Sequence, residues 1–280
     1  MKTPKSIQVK DHFLSKENFT LKAVPPYGIL KTLPQPEQEK IGRYYESEEY
    51  LSHDDSAPGL FARIYRTIKS INLNRKERIL NTYQHQIHNV LDVGCGTGDF
   101  LDHLPKAYQK TGIEINPKAA GIASKKGLHI IKSIEETETQ YDVITLWHVL
   151  EHLYEPDETI AKLRERLTDH GTLIIALPNY KSWDAKYYGP EWAGYDVPRH
   201  LWHYDKSSVQ NLCMAHKLNV VKILPMYFDA YYVSLLSEKY RKNSLTTLRA
   251  TITGSISNLN SLFDGECSSL IYIIRKNTNK

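Results

Sequence analysis

The stretch Asn89-Val-Leu-Asp-Val-Gly-Cys-Gly-Thr-Gly-Asp-Phe-Leu101 limits what this chain can fold into more than any other. Val90 to Val93 is a short apolar run of buried-strand type. Glycines follow at positions 94, 96 and 98, and a helical pattern then begins with Phe100, Leu101 and Leu104. Strand, glycine turn and helix make a first βα unit suited to a nucleotide-like ligand. Glycine lets the backbone bend tightly and lie against such a ligand with no Cβ between them.

The spacing narrows the ligand. A dinucleotide fingerprint reads G-x-G-x-x-G and aims a helix N-terminus at a pyrophosphate. Here the third glycine arrives one residue early and Asp99 stands at the sixth position, where its charge would repel a pyrophosphate. Asp92, two residues before the first glycine, fits a ligand with a cationic amino group. The D-x-G-x-G-x-G form resembles motif I of the class I S-adenosylmethionine (SAM)-dependent methyltransferases. SAM carries an ammonium and a sulfonium and no phosphate, in keeping with this charge pattern.

At 280 residues the chain can hold one large α/β domain with an extension. Its formal charge of +4 is modest, and Lys and Arg are spread without the basic block that would argue for nucleic acid. No apolar run approaches the ~18 residues of a membrane span. The start, Met1-Lys-Thr-Pro-Lys-Ser-Ile, lacks a signal-peptide apolar core. Cys95, Cys213 and Cys267 are scattered, with no metal-ligand spacing. The expectation is a soluble, cytoplasmic protein.

Residues 1–56 read as an N-terminal extension. Phe19–Leu21 and Ile29–Thr32 suggest two strands around the turn Pro25-Pro26-Tyr27-Gly28. This resembles the N-terminal segment of a bacterial methyltransferase subgroup in which a small zinc ribbon precedes the catalytic domain. Val24 and Tyr27 stand where a C-x-x-C would sit, and zinc needs thiolates or imidazoles. The segment therefore reads as a degenerate, metal-free docking flap. Beyond it, Tyr44, Tyr45, Tyr50 and His53 either roof the ligand or pack at the core edge.

Residues 57–280 read as the catalytic domain. Pro58–Tyr83 is amphipathic and covers the sheet. A second strand, Gln109–Glu114, ends in an acid twenty positions after Gly94. Such a carboxylate can accept hydrogen bonds from both ribose hydroxyls, with Ile115 against the adenine face. A third strand, His129–Lys132, leads to Ser133, Ile134 and Glu135, where the resemblance implies contact with the adenine edge. A fourth, Tyr141–Leu146, leads to Trp147 and His148 at the sheet edge where α/β proteins place ligands.

His148, Glu151 and His152 share a face if this segment is helical, and imidazole with carboxylate can bind a divalent metal. The segment resembles the E-x-x-E-H region of the quinone-biosynthesis O-methyltransferases, where a magnesium ion has been placed. His148 replaces the first Glu and suits a hard cation less well. A structural role for the pair Glu151 and His152 is the other reading, and the primary expectation is no metal.

A fifth strand, Thr172–Leu177, precedes a long aromatic connection, residues 180–204, expected to form an acceptor lid. Its alternative is an aromatic minicore. His200 and His203 are candidate general bases alongside His148, because imidazole titrates near neutral pH. Arg199 is a candidate holder of an acidic acceptor. The Asp196-Val-Pro-Arg-His200 run and the Asp229–Tyr240 segment also resemble the bacterial subgroup. Ser207-Ser208 caps a helix, Asn219–Phe228 is strand-like, Asp229–Leu262 is mainly helical with a Tyr and Leu stripe suited to core or dimer face, and Ser268–Ile274 is the last strand.

The resemblance implies an α/β, doubly wound, seven-stranded Rossmann-like methyltransferase sheet in order 3-2-1-4-5-7-6 with the last strand antiparallel. It implies SAM held by Asp92, the Gly94, Cys95, Gly96 and Gly98 turn, Glu114, Ile115, Ser133, Ile134 and Trp147. The expected reaction is in-line O-methylation of a small molecule or glycan intermediate by a monomer or homodimer. A catalytically silent SAM-binding scaffold, an RNA methyltransferase and an NAD-dependent oxidoreductase are the alternatives.

Overall fold

The strands expected on either side of Pro25–Gly28 form, and a third joins them. Ser6–Lys10 (β1), Asn18–Val24 (β2) and Ile29–Leu33 (β3) make an antiparallel meander. The computed structural model describes residues 6–45 and 60–277, with side chains from residue 69 in the second stretch. Tyr50 and His53 lie outside the described residues. After a 24-residue helix, Leu60–Tyr83 (α1), the chain enters the main sheet.

Asn89–Val93 (β4), Gln109–Ile113 (β5), His129–Ile131 (β6), Tyr141–Trp147 (β7) and Leu167–Pro178 (β8) run parallel. Between them lie Asp99–His103 (α2), Pro117–Lys125 (α3) and Pro156–Arg166 (α4). Local chemistry sets the helix starts. The Asn116 side chain accepts from the Lys118 and Ala119 amides, and Pro117 opens α3 with its φ already fixed.

The connection after β8 folds into Trp183–Tyr188 (α5), two 3₁₀ turns and a two-residue strand, Trp202–His203 (β9), which joins the edge of β3. Next comes Lys206–Ala215 (α6), capped by Asp205 and Ser208 in a reciprocal capping box rather than by Ser207. Leu218–Pro225 (β10), Tyr227–Tyr240 (α7), Thr246–Asp264 (α8) and Ser269–Lys276 (β11) complete the chain. The helical stretch from Asp229 is thus two helices, and the preceding strand stops at Pro225.

The main sheet has the order β10-β11-β8-β7-β4-β5-β6, with β11 antiparallel to both neighbours. This is the expected order, read from the other edge. Strand alternation splits its core in two. Leu173, Ile175 and Leu177 of β8 face one side, while Ile174 and Ala176 face the other. The sheet changes winding direction beside β4, so the crevice at the carboxyl ends of β4, β5 and β7 is where such sheets bind ligands.

A third core lies outside the main sheet. Val9, Phe19, Leu21 and Leu30 of the meander pack against Tyr180, Tyr188, Trp192 and Tyr195 of the lid. The N-terminal meander and the lid therefore form one small subdomain, sewn together by β3 and β9.

Candidate active site

The glycine turn sits where β4 ends, and its three glycines do different work. All three have positive φ. A Cβ on Gly94 would lie 2.6 Å from a Val149 methyl, and one on Gly98 would lie 2.4 Å from Leu128 and 2.9 Å from Ala123. Those two allow close packing. Among the described residues a Cβ on Gly96 would meet nothing within 4 Å, so this backbone faces open space between them. The Gly96 amide donates to Glu114 Oε2 at 2.9 Å, and the Asn116 amide donates to Oε1 at 2.7 Å. Each carboxylate oxygen keeps a lone pair for a further donor. Ile115 beside it is 83% exposed.

Beneath the turn Asp92 is buried and accepts from Thr145 Oγ1 at 2.6 Å. Burial pushes its carboxyl up to about 6, although Thr145 and Lys76 oppose the shift. Cys95 contributes backbone only, because its amide donates to the Ile113 carbonyl at 3.0 Å and burial pushes its thiol up to about 12. Burial works against the Asp99 charge too, but the Lys126 and Lys69 ammoniums draw its carboxyl down to about 2. It is anionic at the N-terminus of α2 at neutral pH. Ser133 precedes a 3₁₀ turn, Ile134–Glu136, and Ile134 packs partly on the core. Glu135 is held by Lys162 at 2.6 Å, which draws its carboxyl down to about 2.

Trp147 meets Phe100 edge-on, 5.7 Å between ring centroids, with the Lys76 ammonium 4.5 Å from its own centroid. Its buried indole N–H has no partner among the described residues. Burial lowers the Lys76 pKa, while the Asp92 and Asp229 charges oppose that shift. An ordinary lysine on an amphipathic helix gave no sequence signal of this position. Asp229 likewise went unassigned, though it stands at the first turn of α7, 3.1 Å from His148 Nε2.

His148 has φ +57°, so the segment is not a continuous helix and the expected shared face does not form. Burial would discharge its ring, but Asp229 and Glu151 hold the pKa up to about 10. His148 is therefore an imidazolium at neutral pH, unsuited to remove a proton.

His200 of the lid takes its place beside Glu151 and His152. These three offer ligand atoms within 4.8 Å of one another. Glu151 is buried, and among the described residues neither carboxylate oxygen has a hydrogen-bond partner; the 3.4 Å contact with His148 is an ion pair only. Nδ1 of His152 lies 3.0 Å from the Arg199 carbonyl, and Nδ1 of His200 lies 3.0 Å from the Gly194 carbonyl. Donation from Nδ1 leaves each Nε2 with a lone pair, the arrangement that orients metal-ligating histidines. Burial lowers the His152 pKa to about 4, so it is neutral. Two imidazoles and one bare carboxylate fit a borderline divalent cation better than magnesium.

Much of the rest of the lid is buried, although Tyr187 is 41% exposed. His203 is buried, 2.9 Å from Thr32 Oγ1, and burial drives its pKa far below neutral. Arg199 is almost wholly buried and donates to Asp196, to Asp11 and to the Tyr44 carbonyl. Its donors are committed to tying the meander to the lid, so the expectation that it holds an acidic acceptor is withdrawn. Tyr188, Trp192, Tyr195 and Tyr204 are buried too, so the minicore reading describes most of the lid. Tyr45 approaches the site through its hydroxyl, 3.0 Å from His152 Nδ1.

Residues 49–223 match the family model described as a methyltransferase domain. The ubiquinone biosynthesis O-methyltransferase of Pasteurella multocida (strain Pm70) is 29% identical over 177 residues, covering 55% of this chain and 73% of that protein. That of Aromatoleum aromaticum is 25% identical over 161 residues, covering 50% and 68%. Among solved structures, the plantazolicin methyltransferase BamL, in complex with a triazolic desmethylPZN analog and SAH, aligns with a TM-score of 0.53 at 18% identity, over 84% of this chain and 93% of that one. The cyclopropane synthase MmaA2 of Mycobacterium tuberculosis aligns with a TM-score of 0.51 at 12% identity, over 72% and 83%. At these identities the structural likeness speaks for the fold alone.

Proposed function

Given that the chain belongs to the methyltransferase-domain family, we propose that it transfers the methyl group of SAM to an oxygen of a small-molecule acceptor. The observation that carries this reading is the Glu114 carboxylate, held by the Gly96 and Asn116 amides beside a glycine backbone that faces open space. It offers two vicinal acceptors to the ribose hydroxyls. Lys76 supplies a cation for the methionine carboxylate and Asp92 an anion for its ammonium. The anionic Asp99 at the start of α2 disfavours a dinucleotide pyrophosphate there. Oxygen as the acceptor rests on the likeness to the ubiquinone biosynthesis O-methyltransferases, since the fold itself is shared with a cyclopropane synthase.

Bound SAM supplies a methyl group already activated by its positive sulfur. This chain's part is to place the acceptor in line and to take the proton from its hydroxyl. His148 is cationic and His203 is sealed, so proton removal falls to the Glu151, His152 and His200 group. A divalent cation held there would lower the pKa of an acceptor hydroxyl. The bare Glu151 oxygens favour this second reading. It predicts that manganese or zinc raises the melting temperature of the wild type and leaves His200→Ala unmoved.

Calorimetric titration with S-adenosylhomocysteine, the demethylated product, tests the main reading. Micromolar binding is expected, weakened about 10–100-fold in Glu114→Ala, as losing hydrogen bonds to a charged group predicts. No binding to the wild type would overturn it.

A further inference from the structure

Helix α8 is built inside out. The side it buries carries Ala250, Thr253, Gly254, Ser257 and Ser261. The side it exposes carries Leu248, Ile252, Ile256, Leu259, Leu262 and Phe263, each between 37% and 86% exposed. At about 100° per residue these six fall within an arc of about 120°, opposite the small residues. A surface helix ordinarily turns its apolar stripe to the core. The small inner residues have a packing reason. A Cβ on Gly254 would lie 2.7 Å from the Tyr231 ring and 3.1 Å from its backbone, so α7 and α8 cross closely. Among the described residues, nothing gives the large outer ones a core to face.

Two aromatics of α7 border the stripe. The Tyr227 carbonyl accepts from Asn258 Nδ2 at 2.9 Å, and the Tyr231 hydroxyl lies 3.4 Å from Ser255 Oγ. With them the patch presents roughly 900 Å², taking large aromatics at 150–250 Å² each; an ordinary monomer's largest patch is about 300–600 Å², and a stable dimer buries about 800 Å² per partner. From Ala250 to Phe263 the helix carries no charged residue. A two-fold interface sets a surface against its own copy, where any central charge meets its like. A charge-free apolar stripe is self-complementary. A helix lying on a membrane would instead carry Lys and Arg on its polar side.

We propose that α8 is a homodimer interface, in which a second copy of this chain packs its own α8 antiparallel across a two-fold axis near Ile256. The same hairpin carries Asp229, the partner of His148, so the interface braces one wall of the active site.

Sedimentation of the full chain over roughly 1–100 μM, the range in which a stable interface of this size holds, tests the proposal. The wild type is expected at twice the 32.3 kDa monomer mass and Leu259→Lys at the monomer mass, with S-adenosylhomocysteine binding retained as proof of folding. Ile256→Cys is expected to give a disulfide-linked dimer on mild oxidation, and Met214→Cys on exposed α6 is not. A monomeric wild type throughout that range would overturn the proposal. So would a Leu259→Lys variant that stays dimeric, or wild-type flotation with neutral lipid vesicles that this variant loses.

Discussion

The glycine turn and the lid subdomain hold their polar groups in opposite ways. At the ends of β4 and β5 the glycines thin the backbone, and Glu114 is fixed by two amides with acceptor capacity left over. In the lid subdomain, Arg199, Asp11 and His203 are buried and hydrogen-bonded, Arg199 to Asp11 and His203 with Thr32. Between them in the chain, Glu151 after β7 meets His200 of the lid. A ligand site needs polar groups with unused capacity, whereas a small subdomain with little core needs its buried ones satisfied. Mutation should therefore separate the regions into one that sets affinity and one that sets stability.

The largest expected effect lies in the lid. Arg199→Met leaves Asp11 and Asp196 facing each other with no cation, and should lower unfolding stability by about 3–5 kcal/mol. Chemical denaturation measures it. Adding Asp11→Asn should restore part of the loss. If Arg199→Met melts like the wild type, the subdomain is not held as described.

Within the glycine turn a smaller contrast is expected. Gly98→Ala must displace Leu128 and Ala123 as well as accept positive φ, so it should melt lower. Gly96→Ala meets no neighbour among the described residues and carries only the left-handed strain of about 1–2 kcal/mol, yet in the proposed site its methyl would stand in the space the cofactor needs. It should lose more affinity for S-adenosylhomocysteine than stability. Equal losses in both variants would erase the distinction between packing and ligand-facing glycines.

The smallest effect is a pH slope. His148 has its pKa raised to about 10 in the folded chain, above the ordinary 6.5. Its stabilising contribution is fully present below about 6.5 and is lost as pH rises through 10. His148→Asn tolerates the left-handed backbone and removes the charge, so it should flatten the alkaline fall in melting temperature. His152 has its pKa lowered to about 4, so it adds a loss of stability as pH falls from 6.5 toward 4. Thermal melts of both proteins between pH 5 and 10, the span of these titrations, check the signs.

The sequence by itself determined the sheet and the character of its ligand crevice. Those features are local: an apolar strand, glycines in fixed spacing and an acid at the next strand's end are read within about 25 residues. The order of strands followed from resemblance, and the pairing of the strands bears it out. Tertiary structure decided the rest. Nothing near Lys76 or Asp229 in the chain marks them, because they meet Trp147 and His148 only after α1 and α7 pack on the sheet. His200 joins Glu151 across 49 positions, and Arg199 finds Asp11 across 188, so no spacing rule reaches them. The protonation of His148, His152 and His203 was equally out of reach. Three imidazoles alike in sequence differ because burial and neighbouring carboxylates, which exist only in the fold, set the cost of their charge.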